Sequence, residues 1–175
     1  VEPNVAIDLA ELDSTRLAVA GVDPTNRRGR KNAVFAGRLL AWKVTALAIA
    51  ALARPAAADW ELSVYGEGYD LGRVRRVAAR HGVADRVHFR GQRPRVEILE
   101  ELARADALLF PSLADAAGWI VAEAMAVGCP VVCVDRGGPP ELLRDGGGFV
   151  VPFRGDVAGR LAASANTELL AEYAS

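Results

Sequence analysis

Residues 106–135 read DALLFPSLADAAGWIVAEAMAVGCPVVCVD. DALLFPS is a short apolar run closed by Pro111 and Ser112, the pattern of a buried strand. WIVAEAMAVG repeats its apolar stripe at Ile120, Ala124 and Val127 and stops at Gly128, which predicts a helix. PVVCVD is a second β-branched run, and so a second strand. Between the first strand and the helix lies a Gly/Ala loop carrying Asp115, and Glu123 follows eight residues later on the helix. One strand–helix–strand unit therefore presents two acids around a helix start.

The same alternation extends in both directions. AVFAG, ELSVYG, RVHFRG and GGFVVP read as further strands. TALAIAALA, DLGRVRRVAARHG, VEILEELARA (with Ile98, Leu99 and Leu102 at helical spacing) and the proline-opened PPELLRDG read as helices, and a helical tail closes the chain. Strands separated by helices predict βαβ units with right-handed crossovers. The expected fold is α/β: a doubly wound, Rossmann-like parallel sheet covering residues 32–175. Residues 1–31 show no period and are expected to be an inter-domain linker.

The chain has 175 residues, 51% hydrophobic and 25% charged, enough for one sizeable core. A formal net charge of -1 gives no electrostatic case for nucleic acid. The basic cluster Arg27, Arg28, Arg30 and Lys31 reads as a solvated run, with anionic lipid as the other option. Cys129 and Cys133 fall in or beside an apolar strand and are expected as buried, reduced thiols. His81 and His88 have no triad partner and no zinc spacing, so no metal site is expected. There is no signal-peptide pattern and no apolar run long enough to span a bilayer. The chain starts without Met, which suggests a piece of a longer protein, expected to be cytoplasmic.

In doubly wound sheets ligands sit beyond the carboxyl ends of the strands. After the first strand come Gly37 and Arg38, with Lys43 five residues further on. A guanidinium and an ammonium there suit two adjacent phosphates, although each alone also fits a solvated loop. After the second strand comes Gly66-Glu67-Gly68, half of a dinucleotide fingerprint with Leu71 where a third glycine would stand. A tight turn and a close nucleotide approach are equally open there. After the fourth strand, the N–H groups of Ala117, Gly118 and Trp119 at a helix start suit a diphosphate. Asp115 suits sugar hydroxyls and Glu123 ribose hydroxyls, against plain helix-start roles for each. Gly137 and Gly138 let a backbone pass close to a ligand, or simply make a turn.

Taken in order, FAGRLLAWK, VYGEGYDLGRVRRVAARHGVADRVHFRGQ, DALLFPSLADAAGWIVAEAMAVGCPVVCVDRGGPPELL and GGFVVP resemble the C-terminal, donor-binding half of group-1 (family four) retaining glycosyltransferases of the GT-B fold. VEPNVAID resembles that family's inter-domain segment. The resemblance implies that Arg38 and Lys43 hold the donor diphosphate, that Asp115 contacts the transferred sugar and that Glu123 contacts the ribose. Ala116, Ala117, Gly118 and Trp119 would hold sugar and phosphates through their backbone. Gly37, Gly66, Gly68 and the Arg90-Gly91-Gln92 turn would surround the phosphates and base. Asp115 stands where the family usually has Glu, shortening the reach by a methylene and leaving the sugar open. Val44 stands where Gly commonly follows the Lys.

The implied activity is transfer of a hexose, with retention, from a UDP- or GDP-linked sugar to a glycan or lipid acceptor. No metal and no further cofactor is implied. The acceptor domain is absent from these residues, so the chain alone is expected to be inactive. The parent protein's contact with the inner membrane face is a further expectation. The alternatives are a GT-B nucleotide-sugar epimerase domain and a non-catalytic nucleotide-binding module.

Overall fold

In the computed structural model, which describes residues 29–165, strands form at the β-branched apolar runs and helices at the striped segments. The order is β1 (Lys31–Ala36), α1 (Thr45–Leu52), β2 (Trp60–Tyr65), α2 (Leu71–Arg80), β3 (Val87–Gly91) and α3 (Arg95–Arg104). It continues with β4 (Ala107–Phe110), α4 (Trp119–Ala126), β5 (Val131–Val134), α5 (Pro139–Leu142), β6 (Gly148–Val151) and α6 (Val157–Ala165). Each strand and helix read from the sequence within these bounds is present. The expected linker lies outside the described residues as far as residue 28.

The strands make one six-stranded sheet in the order β3-β2-β1-β4-β5-β6, and every pairing is parallel. The doubly wound, Rossmann-like expectation holds. β1 pairs with β2 from Lys31↔Trp60 to Ala36↔Tyr65 on one side and with β4 through Ala33↔Ala107 on the other. The winding therefore reverses between β1 and β4. At such a switch point the loops leaving the two strands diverge and open a crevice at their carboxyl ends.

Alternation along the strands divides the core. Ala33 and Phe35 face one side with Ile49 of α1, Val74 of α2 and Leu161 of α6. Val34 and Ala36 face the other with Leu99 and Leu102 of α3 and Val121 and Ala124 of α4. β1, β4 and β5 are buried on both faces, which is why they read as continuous rather than alternating apolar runs. Leu99 and Leu102 are fully buried and fasten α3 to the sheet. Truncating either to Ala costs about 2–5 kcal/mol.

Polar groups away from the crevice are structural. Arg86 donates to the carbonyls of Leu52, Ala57 and Trp60, closing the far end of α1 against β2. His88 lies 3.3 Å from Glu61 across neighbouring strands, and His81 follows the end of α2. Both cysteines are buried and free, and burial pushes both thiols up to about 12. Among the described residues no cluster of His, Cys, Asp and Glu could hold a metal ion. No described helix is long and apolar enough to cross a membrane.

Candidate functional site

The crevice takes its shape from two backbones in contact. The β1 exit, Gly37 to Leu39, lies against the β2 exit: Gly37 N–H donates to Tyr65 O at 3.0 Å, Leu39 N–H to Glu67 O at 2.8 Å, and Asp70 N–H to Leu39 O at 3.1 Å. A Cβ on Gly66 would meet Gly37 O at 2.1 Å, and one on Gly68 would meet Leu39 O at 2.1 Å. The G-x-G pair is thus required by chain-to-chain packing, which fixes where Arg38 emerges.

Beyond these strand ends lies a cleft of about 480 Å³. Gly37, Arg38, Tyr65, Gly66 and Glu67 line it from the ends of β1 and β2; Gln92, Arg93, Arg95 and Ile98 come from the β3–α3 segment, and Ile120 and Glu123 from α4. Arg38 is exposed and makes no ion pair among the described residues. Glu123 accepts a hydrogen bond from Arg95 Nε at 2.7 Å and is 15% exposed. Tyr65 donates to Glu101 Oε2 at 3.0 Å, and burial together with that carboxylate pushes its phenol up to about 12. The cleft offers cations, two carboxylates and apolar side chains, the chemistry of a phosphate-bearing ligand with a hydroxylated, flat portion.

Lys43 and Asp115 are brought together at the switch point itself. Lys43 Nζ donates to both carboxylate oxygens, at 2.6 and 2.7 Å, and sits 5.2 Å from the centre of the Phe110 ring. Asp115 makes no helix-start contact: α4 is preceded by Gly118, in the left-handed region at φ 61°, with no side-chain cap. Neither Lys43 nor Asp115 is among the residues lining the cleft. The two cations expected to act as one clamp are therefore placed differently, Arg38 on the cleft and Lys43 against a carboxylate. Val44, the residue after Lys43, is the one non-glycine residue with positive φ (47°) among the described residues. That explains why a glycine suits this position.

The Asp115 loop is braced from beneath. Gly138 N–H donates to Asp115 O at 2.8 Å. A Cβ on Gly137 would lie 2.4 Å from Asp115 O, and one on Gly138 1.9 Å from Ala116 O. The backbone that passes close to these glycines is that of the loop. Ala116 and Trp119 are exposed, Ala117 is half-buried and Gly118 is buried. The N–H groups of Ala117, Gly118 and Trp119 donate to no other group among the described residues, so they stand available at the positive end of α4. Gly68, Gly91 and the Ala116–Trp119 loop do not line the cleft, whereas Gly37 and Gly66 do.

Sequence reading missed Arg93 and Arg95. The signal was present in RGQRPR, residues 90–95, an arginine-dense stretch directly after a strand, where ligand-facing loops begin.

Comparison with known proteins places this geometry. The family model "Glycosyl transferases group 1" matches residues 22–171. D-inositol 3-phosphate glycosyltransferase of Streptomyces bingchenggensis is 37% identical over 81 residues, covering 46% of this chain and 18% of that protein. Glycogen synthase of Mycobacterium tuberculosis is 34% identical over 154 residues, covering 87% of this chain and 37% of that protein. The crystal structure of Anabaena HepE in complex with UDP and glucose superposes with a TM-score of 0.75 at 25% identity, over 95% of this chain and 46% of that one. The chain spans less than half the length of these relatives. With the family matched over most of its residues and the sheet shared with GT-B structures, the chain belongs to the group-1 glycosyltransferases of the GT-B fold.

Proposed function

We propose that the chain is the donor-binding half of a retaining glycosyltransferase that moves a hexose from a UDP- or GDP-linked sugar to a glycan or lipid acceptor. The observation that carries this reading is the cleft at the carboxyl ends of β1 and β2, lined by exposed Arg38 and by Glu123 of α4. HepE, crystallised with UDP and glucose, supports a nucleotide-sugar donor.

In this reading the diphosphate lies between Arg38 and the free amides at the start of α4, and Lys43 reaches it from its place beside Asp115. These groups stabilise the negative charge that grows as the diphosphate departs and the sugar becomes oxocarbenium-like. Glu123 accepts from ribose hydroxyls. Tyr65, Gly66, Glu67 and Gln92 surround the base. Asp115 accepts from hydroxyls of the transferred sugar, so binding the donor means redistributing its contacts with Lys43.

Calorimetry of the chain with UDP and with GDP tests the reading. Binding of one of them, lost or much weakened in Arg38→Ala, is the expected result; no affinity for either would overturn it. With labelled nucleotide sugar and a generic acceptor the chain alone should transfer nothing, since it spans less than half the length of its relatives.

A further inference from the structure

Arg95 is the first residue of α3 and Glu123 lies on the second turn of α4, 28 positions later in the sequence. Their side chains nevertheless meet at the cleft wall, with Nε 2.7 Å from Oε1. The carboxylate is the more enclosed partner, at 15% exposure against 38% for the guanidinium. A long side chain such as Glu has several rotamers open to it on an exposed helix face. Here one oxygen is tethered by a charge-assisted bond from a different helix, which restricts the rotamers open to a side chain that lines the cleft.

We propose that Arg95 is a positioning residue for ribose recognition: it holds the Glu123 carboxylate so that the free oxygen meets the vicinal hydroxyls of the donor's ribose. This deepens the assignment of Glu123 given above and rests on it. A vicinal diol presents two donors to a carboxylate, and a preset acceptor loses less freedom on binding than a mobile one. Arg95 is then needed for ribose discrimination rather than for holding phosphate. Arg38, which also lines the cleft and makes no ion pair among the described residues, is the group whose loss would weaken all diphosphates alike.

The experiment is calorimetry on the chain with UDP, GDP and their 2′,3′-dideoxy counterparts, for the natural sequence, Arg95→Met and Arg95→Lys. The natural chain should prefer the ribonucleotide about tenfold. Arg95→Met should lose that preference, binding the ribonucleotide about tenfold more weakly and the dideoxy form almost unchanged. Arg95→Lys, which keeps the charge without the planar fork, should fall between. Equal weakening of both forms in Arg95→Met would make Arg95 a phosphate contact and overturn the proposal, as would an unchanged preference. Should Arg95→Met not fold, Arg95→Lys decides, since retention of the full ribose preference there overturns the proposal. A natural chain that binds no diphosphate defeats the nucleotide-sugar reading itself; one that binds ribo and dideoxy forms equally defeats only the role of Arg95.

Discussion

Lys43 and Asp115, from the loops after β1 and β4, clasp each other across the point where the sheet reverses its winding, with both carboxylate oxygens within 2.7 Å of Nζ. At 13% and 20% exposure neither charge is well hydrated, so each depends on the other. Removing one strands its partner in a poorly solvated place, whereas removing both does not. Lys43→Met or Asp115→Asn should each cost about 1–3 kcal/mol. The double variant should lose less than the sum, with a coupling of about 1–2 kcal/mol. Urea denaturation of the four proteins measures this, and additive losses would count against a coupled pair.

Arg38 contrasts with that pair. It is exposed on the cleft wall and forms no ion pair among the described residues, so the fold does not use its charge. Arg38→Ala should change stability by less than about 0.5 kcal/mol. A nucleoside diphosphate should nevertheless bind roughly 10–100-fold more weakly, the loss expected when hydrogen bonds to a charged group go. A thermal melt beside a binding isotherm separates the two effects. A variant that melts well below the natural chain would show Arg38 to be structural.

These two cases mark how far the sequence could be read. Strand and helix positions were legible because β1, β4 and β5 are buried on both faces and their apolar runs carry no other meaning. The strand-end residues were legible because a doubly wound sheet puts ligand contacts there. Which side chains then touch was not legible. Lys43 meeting Asp115, and Arg95 meeting Glu123, depend on how segments 72 and 28 residues apart are turned toward each other. Gly66, Gly68, Gly137 and Gly138 were equally ambiguous. The sequence left each open as a turn or as a close approach to a ligand, and the structure packs backbone of the chain itself against each.

Val44 carries a cost visible in the backbone. It precedes α1 at φ 47° and ψ 40°, where a β-branched side chain crowds the following carbonyl, at roughly 1–2 kcal/mol. Glycine adopts this conformation freely but loses more entropy on folding, by about 0.5–1 kcal/mol. Val44→Gly should therefore stabilise the chain by roughly 0.5–1 kcal/mol, read as a rise in the denaturation midpoint. Val44→Ala should gain less. A loss of stability in Val44→Gly would mean that contacts of the valine side chain outweigh the strain.

Two glycines make opposite forecasts from the same substitution. Gly138 packs under the Asp115 loop, and a Cβ there would come within 1.9 Å of Ala116 O, a backbone atom that cannot step aside without moving the loop. Gly138→Ala should cost about 1–3 kcal/mol or more as an overpacked contact. By displacing Asp115 from Lys43 it should also erase the coupling measured in the Lys43→Met/Asp115→Asn cycle. Gly72 lies in α2, and a Cβ there meets nothing within 4 Å. Gly72→Ala should stabilise by about 0.5–1 kcal/mol through helix propensity alone. Denaturant midpoints moving in opposite directions for the two variants are the expected outcome. If Gly138→Ala were as harmless as Gly72→Ala, the loop would not be seated on the β5–α5 turn, and Asp115 would lack the support that aims it at Lys43.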